Sequence, residues 1–389
     1  MKKLTQTLFS VIFLIVISAC AGKNPQKSDV KRSVNVPINM GLFSDDEKSL
    51  IVEDDVFTLS SSQQEIILSA VEEKRNQGLK LHEALKAVLS TKLSNFTYYG
   101  ETYSAEMTMK LNAGNCMSLA VLTTAYAKLL AVDFSYREVN TIPVYEKENN
   151  LVLSSSHVQT VLYDADFIEN PNEFYFNKPG IVIDYFPNAN NRVGKTFDEA
   201  TFLSMYYRNL AADALVDNNL TKAFMFAIKA HNHDKQNIEA INLLAVIHRR
   251  AGDDKGAENI YRVGLRIDQS SLALISNYIM LLRKQQRFDE AETYQQRLDV
   301  LDDPNPFHWL EQAYIAERSH NINKAIKYYQ KALVNAPYLN QAYLGLYNIY
   351  LERGDFSKAK VMLKNALEWT YEIEERKQYK YKLYNLAQL

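Results

Sequence analysis

In the second half of this chain alanine recurs every 34 residues, at Ala223, Ala257, Ala291, Ala325 and Ala359. A fixed period of that length means one supersecondary unit copied along the chain, which removes most other architectures before any local pattern is weighed. Further landmarks keep the same phase. Sixteen residues before each alanine stand Tyr207, Ile241, Ile275, Trp309 and Tyr343, and twelve before it Ala211, Ala245, Ile279, Ala313 and Tyr347. Seven after it come Ala230, Gly264, Leu298, Ala332 and Ala366. The units run 204–237, 238–271, 272–305, 306–339 and 340–373, and residues 374–389 read as a polar capping helix over the last apolar face.

This pattern resembles the tetratricopeptide (TPR) repeat, a helical hairpin in which small residues let the two helices approach; the resemblance implies turns inside hairpins at Gly252 and Gly354, a turn between repeats at Pro337, and an all-α solenoid over 204–389 with an extended groove for a protein or peptide. Only 12 Gly and 9 Pro in 389 residues suit a largely helical chain and exclude a sandwich of many short strands. The 44 basic and 46 acidic residues nearly cancel and form no long basic stripe, so a nucleic acid partner is excluded. His231 and His233 are expected in a turn between repeats, with no third or fourth ligand near them in sequence, so neither a metal nor a cofactor is expected.

The chain has two cysteines, Cys20 and Cys116. Lys2 and Lys3 precede an apolar run over 8–17, and Ser18 and Ala19 supply the small residues of a cleavage site, so 1–19 reads as an export signal. The apolar run is about half the ~20 residues needed to cross a bilayer as a helix. The run Ile17-Ser18-Ala19-Cys20 resembles the lipobox of bacterial lipoproteins, which implies that Cys20 is lipidated and begins the mature chain. Several acyl chains together give stable membrane attachment. Ala21 follows Cys20 where aspartate would signal retention, and this implies the outer membrane, with the body facing the periplasm. Residues 20–40 are polar, carry Pro25 and Pro37 and lack hydrophobic periodicity, so they read as a flexible tether.

Once Cys20 is lipidated, Cys116 has no partner for a disulfide. It follows the turn residues 112–115 and opens a strongly apolar helical run over 116–130, in whose first turn unpaired N–H groups should favour the thiolate. A thiolate nucleophile needs a base and an orienting group. Of seven histidines only His157 falls in a strand-like segment of the same half, where alternation puts His157, Gln159 and Val161 on one face. Asp184 ends the apolar strand-like run before Pro187, while Asp164 and Asp166 are competing carboxylates in a turn.

Residues 108–139, with Gly114-Asn115-Cys116, Ser118 and Ala120, resemble the core of transglutaminase-like cysteine proteins. Cys116, His157 and Asp184 also follow that family's catalytic order. The resemblance covers about residues 90–190. It implies an α+β, papain-like domain over 41–200, joined to the repeats by a short segment around 197–205. It further implies attack of Cys116 on an amide carbonyl to give a thioester, with His157 as base and then acid and Asp184 holding His157. The Cys116 N–H would be one oxyanion donor and Tyr98, Tyr99 or Tyr103 the other. Val158-Gln159 after the histidine and Tyr185-Phe186-Pro187 after the aspartate depart from the family's usual residues. The expected function is an envelope-anchored cysteine peptidase or amidase whose repeats recruit substrate. The alternatives are a non-catalytic repeat scaffold with a vestigial transglutaminase-like domain, or an amide-crosslinking transglutaminase.

Overall fold

The computed structural model describes residues 35–45, 55–98, 101–148, 151–168, 178–185, 192–301, 303–370 and 373–386, with the side chains of Leu93, residues 140–157 and Arg192 outside that description. Residues 1–19, read from sequence as an export signal, Cys20 and Tyr99 therefore lie outside the described residues. Asn35–Leu389 is one compact unit.

Helices α1 (Ser61–Asn76) and α2 (Leu81–Leu93) lead into a two-strand parallel ladder, β1 (Thr97–Tyr98) with β2 (Ala113–Gly114), and the short helix α3 (Ala105–Leu111) lies between its strands. Helix α4 (Cys116–Leu129) is buried along every residue from Met117 to Ala127, as an all-round apolar helix must be. It packs on an antiparallel sheet of order β5-β4-β3-β6, formed by β3 (Phe134–Glu148), β4 (Leu151–Tyr163), β5 (Gly180–Ile183) and β6 (Arg192–Phe197). One face of that sheet carries Tyr136, Val158, Thr160 and Leu162, all fully buried, toward the helices. The hydroxyls of Thr124 and Tyr136 lie 2.9 Å apart across this interface. This half is thus α+β. Asp164, a competing carboxylate in the sequence, receives the Lys80 ammonium at 2.6 Å and ties β4 to the start of α2.

The remainder is an all-helical solenoid of five hairpins. These are α5 (Glu199–Val216) with α6 (Leu220–His233), α7 (Ile238–Arg250) with α8 (Asp254–Ile267), α9 (Leu272–Lys284) with α10 (Phe288–Leu301), α11 (Pro306–Arg318) with α12 (Ile322–Asn335), and α13 (Asn340–Glu352) with α14 (Phe356–Trp369). Helix α15 (Ile373–Leu386) packs on α14. The period alanines 223, 257, 325 and 359 have no exposed surface and Ala291 has 2%. Every turn inside a hairpin places a left-handed residue at the same repeat position: Asn218, Gly252, Gln286, His320 and Gly354. The next residue caps the second helix in four hairpins, where Asn219, Asp253, Asn321 and Asp355 each accept a backbone N–H three residues on. His231 and His233 are in the last turn of α6, not in the turn between repeats, and His233 stacks on Tyr207.

The first hairpin begins at Glu199, before the sequence boundary of 204, and its extra turn reaches into the α+β core. There Phe202 is fully buried and stacks on Tyr136 with ring centroids 4.0 Å apart and planes within 3°. Residues 35–40, assigned to the tether from sequence, are docked on the repeats: Val36 is buried and the Asn39 N–H donates to His248 Nε2 at 3.2 Å. Phe43 then packs on Phe224 of α6. Among the described residues no helix is long and apolar enough to cross a membrane.

Candidate active site and repeat groove

Cys116 occupies the first position of α4. The N-cap Asn115 accepts the Ser118 N–H at 3.0 Å and donates through Nδ2 to the Thr102 hydroxyl at 2.8 Å. The Ser118 hydroxyl in turn accepts the Tyr103 N–H at 2.8 Å. The loop 101–104 is therefore wrapped around the start of α4 by two side chains of the motif itself. Gly114, with φ +142°, makes the approach: a Cβ there would lie 2.6 Å from the Ser118 side chain. The β1–β2 register sets Tyr98 beside Gly114, two residues before the cysteine.

Three tyrosines stand as oxyanion candidates in the sequence, and the structure separates two of them. The Tyr98 hydroxyl donates to the Tyr185 carbonyl at 3.2 Å, and burial together with the Cys116 charge raises its pKa, so it lies in the electrostatic neighbourhood of the thiol. The Tyr103 hydroxyl donates to the Glu101 carboxylate. Tyr99 is outside the described residues. Burial pushes the Cys116 thiol up from its ordinary value, against the lowering by the N–H groups of Met117 and of Cys116 itself. The sequence expectation of a lowered thiol is corrected here: desolvation of a helix start set against the core outweighs its N–H groups.

Asp184 accepts from Gln159 Nε2 at 2.7 Å. Since Thr160 pairs with Ile183 in the ladder and both face the helices, Gln159 and Asp184 belong to the other face of the sheet. Tyr185 returns to the helix face, its hydroxyl 2.8 Å from both Thr123 of α4 and Thr160 of β4. Burial above all raises the pKa of Tyr185, against the hydrogen bonds to Thr123 and Thr160, and the Cys116 thiol and the Asp184 carboxylate add smaller contributions in the same direction, so Tyr185 joins the end of β5 to the start of α4. His157 pairs through its backbone with Val139 and stands two residues before Gln159 in β4, and its side chain is outside the described residues. The structure thus brings Cys116, Tyr98 and Tyr185 into one neighbourhood and Asp184 onto Gln159.

Two participants escape the sequence reading. Gln159 is legible only as a neighbour of His157 on an alternating strand. Asp213 of α5 accepts the Thr102 N–H, and burial, reinforced by Glu101 and Asp217 and opposed by that bond and by Lys222, pushes its pKa up to about 6. The repeat array therefore touches the same loop that clasps the start of α4.

A groove opens between α11, α12 and α13, lined by Tyr314, Glu317, Arg318, Tyr329, Leu344 and Asn348. Its floor depends on Gly345, where a Cβ would lie 2.3 Å from the Tyr329 ring, and Tyr329 donates to Glu317 at 2.6 Å. Among the described residues no group of three or more His, Cys, Asp or Glu side chains is placed to hold a metal ion.

No protein-family model matches the chain, and no curated protein matches it. Among solved structures, pilF of Pseudomonas aeruginosa is similar at 18% identity over 49% of this chain and 86% of that one, with a TM-score of 0.40. Yeast Tom70 is similar at 19% identity over 47% of this chain and 40% of its own, with a TM-score of 0.41. PilW, described as a widely conserved type IV pilus biogenesis factor, is similar at 18% identity over 48% and 86%, with a TM-score of 0.36. Likenesses of this size leave the repeat architecture resting on the period and the five hairpins of this chain.

Proposed function

We propose that this chain is an interaction protein of the TPR kind, held at a membrane by lipid on Cys20 and offering the groove of its helical array to an extended segment of a protein partner. The observation that carries this reading is the open groove between α11, α12 and α13, where aromatic, apolar and polar side chains converge around Tyr314, Glu317 and Leu344. A printed array of random peptides of about twelve residues, probed with the labelled full chain, tests it. Binding should fall at least about tenfold in Leu344→Asp while the helical spectrum is kept. Equal binding by wild type and variant across the array would remove the reading. Acylation is tested separately, by incorporation of a labelled fatty acid that is lost in Cys20→Ser, and fractionation of the envelope tests the outer membrane.

A second reading, an amide-acting cysteine enzyme, is favoured by Cys116 at the first position of α4 with Tyr98 beside it. In that reading His157 takes the thiol proton and returns it to the leaving amine. Water resolving the thioester would make a peptidase or amidase, and an amine a transglutaminase. A thiol-directed activity probe discriminates: labelling at neutral pH that disappears in His157→Ala supports an activated cysteine. Labelling only in alkali, the same in both proteins, leaves a buried thiol.

A further inference from the structure

Within each hairpin one position of the first helix faces one position of the second, twelve residues on. In the outermost hairpins these positions hold apolar residues, Leu215 with Ala227 and Leu351 with Leu363. In the three central hairpins they hold Arg249 with Tyr261, Arg283 with Gln295, and Glu317 with Tyr329. Each of these pairs meets in space. Arg249 lies against Tyr261, whose hydroxyl burial pushes up to about 12 while the guanidinium pulls it back. Arg283 donates to Gln295 at 3.5 Å and across to Gln312 of α11 at 3.0 Å, and Tyr329 donates to Glu317 at 2.6 Å.

Glu317 and Tyr329 line the groove, and Arg249 and Arg283 hold the position of Glu317 in the two preceding hairpins. Among the described residues neither arginine makes an ion pair, and Arg249 Nε is buried without a hydrogen-bond partner. Glu292 and Glu311 act on Arg283 only through space. The two glutamines fix one end of the Arg283 guanidinium. A fixed, partly desolvated guanidinium that makes no ion pair recognises a carboxylate strongly.

Helices α7 and α9 touch directly, and Arg283 bridges α9 to α11. Packed helices stand about 8–10 Å apart, and an extended chain covers that distance in about three residues. We propose that the groove takes an extended peptide bearing two acidic side chains and then a basic one, each about three residues from the next, which meet Arg249, Arg283 and Glu317 in turn. This rests on the interaction reading above and adds to it the charge order of the partner.

The test is fluorescence anisotropy of the full chain in detergent with three labelled peptides of equal length. One has glutamate, two spacers, glutamate, two spacers and lysine; the second has every charge reversed; the third is uncharged. Each charged peptide is made in both chain directions. The first should bind, weaken with salt, and lose about tenfold or more in Arg283→Gln. The reversed peptide should bind only the variant carrying Arg249→Glu, Arg283→Glu and Glu317→Lys, and Arg249→Gln alone, checked for helical content, serves if that variant does not fold. Equal binding of all three peptides, or an Arg283→Gln variant with unchanged affinity, overturns the charge order and leaves the interaction reading standing. Binding of none, here and on the random array, overturns both.

Discussion

Asp213 stands where two parts of the chain meet: its carboxylate is drawn toward the Thr102 N–H and is desolvated by the contact that brings it there. Its native pKa of about 6 lies above the ordinary 3.8, so between those values the native state keeps a proton that the unfolded chain has released. Stability from this group is therefore lowest above pH 6 and recovers as pH falls through the native value. In Asp213→Asn the amide oxygen still accepts from Thr102 without carrying charge. The variant should be more stable than wild type at pH 7.5 by on the order of 2 kcal/mol, and the advantage should be gone near pH 4. Urea unfolding at the two pH values measures this, and a variant less stable at pH 7.5 would show that the charged bond outweighs its burial. No local pattern announces this contact, since it joins a loop to a helix more than a hundred residues later. Cys116 differs: the Asn115 cap and the apolar run after it are local signals, and they give its place on α4 directly. Its thiol was misjudged because desolvation depends on the neighbours that pack around the helix start, and sequence does not display them.

At the scale of the element, the hairpin turn is the clearest case of a rule met by unlike residues. Five equivalent positions are left-handed, yet only two are glycine, and Asn218, Gln286 and His320 take φ of 57°, 60° and 58°. A side chain with a Cβ pays about 1 kcal/mol or more for that conformation, and glutamine has none of asparagine's local compensation. Gln286→Gly should therefore stabilise the chain by roughly 0.5–1 kcal/mol, and Gly252→Ala should cost about 1 kcal/mol. Thermal melts of the two variants should move in opposite directions. A destabilised Gln286→Gly would mean that the hydrogen bond from Arg287 to Gln285 and its surroundings depend on the side chain at 286. The period itself was legible because the small residues at helix crossings cannot vary without separating the helices. The turn geometry was legible only at the two glycines, since the other three residue types are common in helices and loops alike.

For the whole molecule the question is whether the α+β half and the repeats unfold together. Sequence suggested a short, apolar junction around 197–205 and a fixed orientation. The junction proves to be a helix that serves both sides: Phe202, Met205 and Tyr206 of α5 belong to the same buried cluster as Tyr136, Val158 and Leu162 of the sheet, while α5 also packs along α6. Residues 35–45 add a second crossing, through Asn39 on His248 and Phe43 on Phe224, and Asp213 on Thr102 a third. Three separate crossings within one compact unit predict a single calorimetric transition for the wild type. Repeat arrays without such ties tend to lose hairpins one at a time. Phe202 is the residue to test because its ring lies closer over Tyr136, at 4.0 Å between centroids, than those of Phe197 and Phe134 at 5.7 and 5.6 Å. Phe202→Ala should cost about 3–5 kcal/mol. If α5 is the principal tie, the loss should also split the transition into two, with the sheet half melting first because it loses part of its core. A single transition shifted to lower temperature would instead assign the coupling to the two remaining crossings, and Asn39→Ala with Phe43→Ala, set beside Asp213→Ala, would then show which of them divides it.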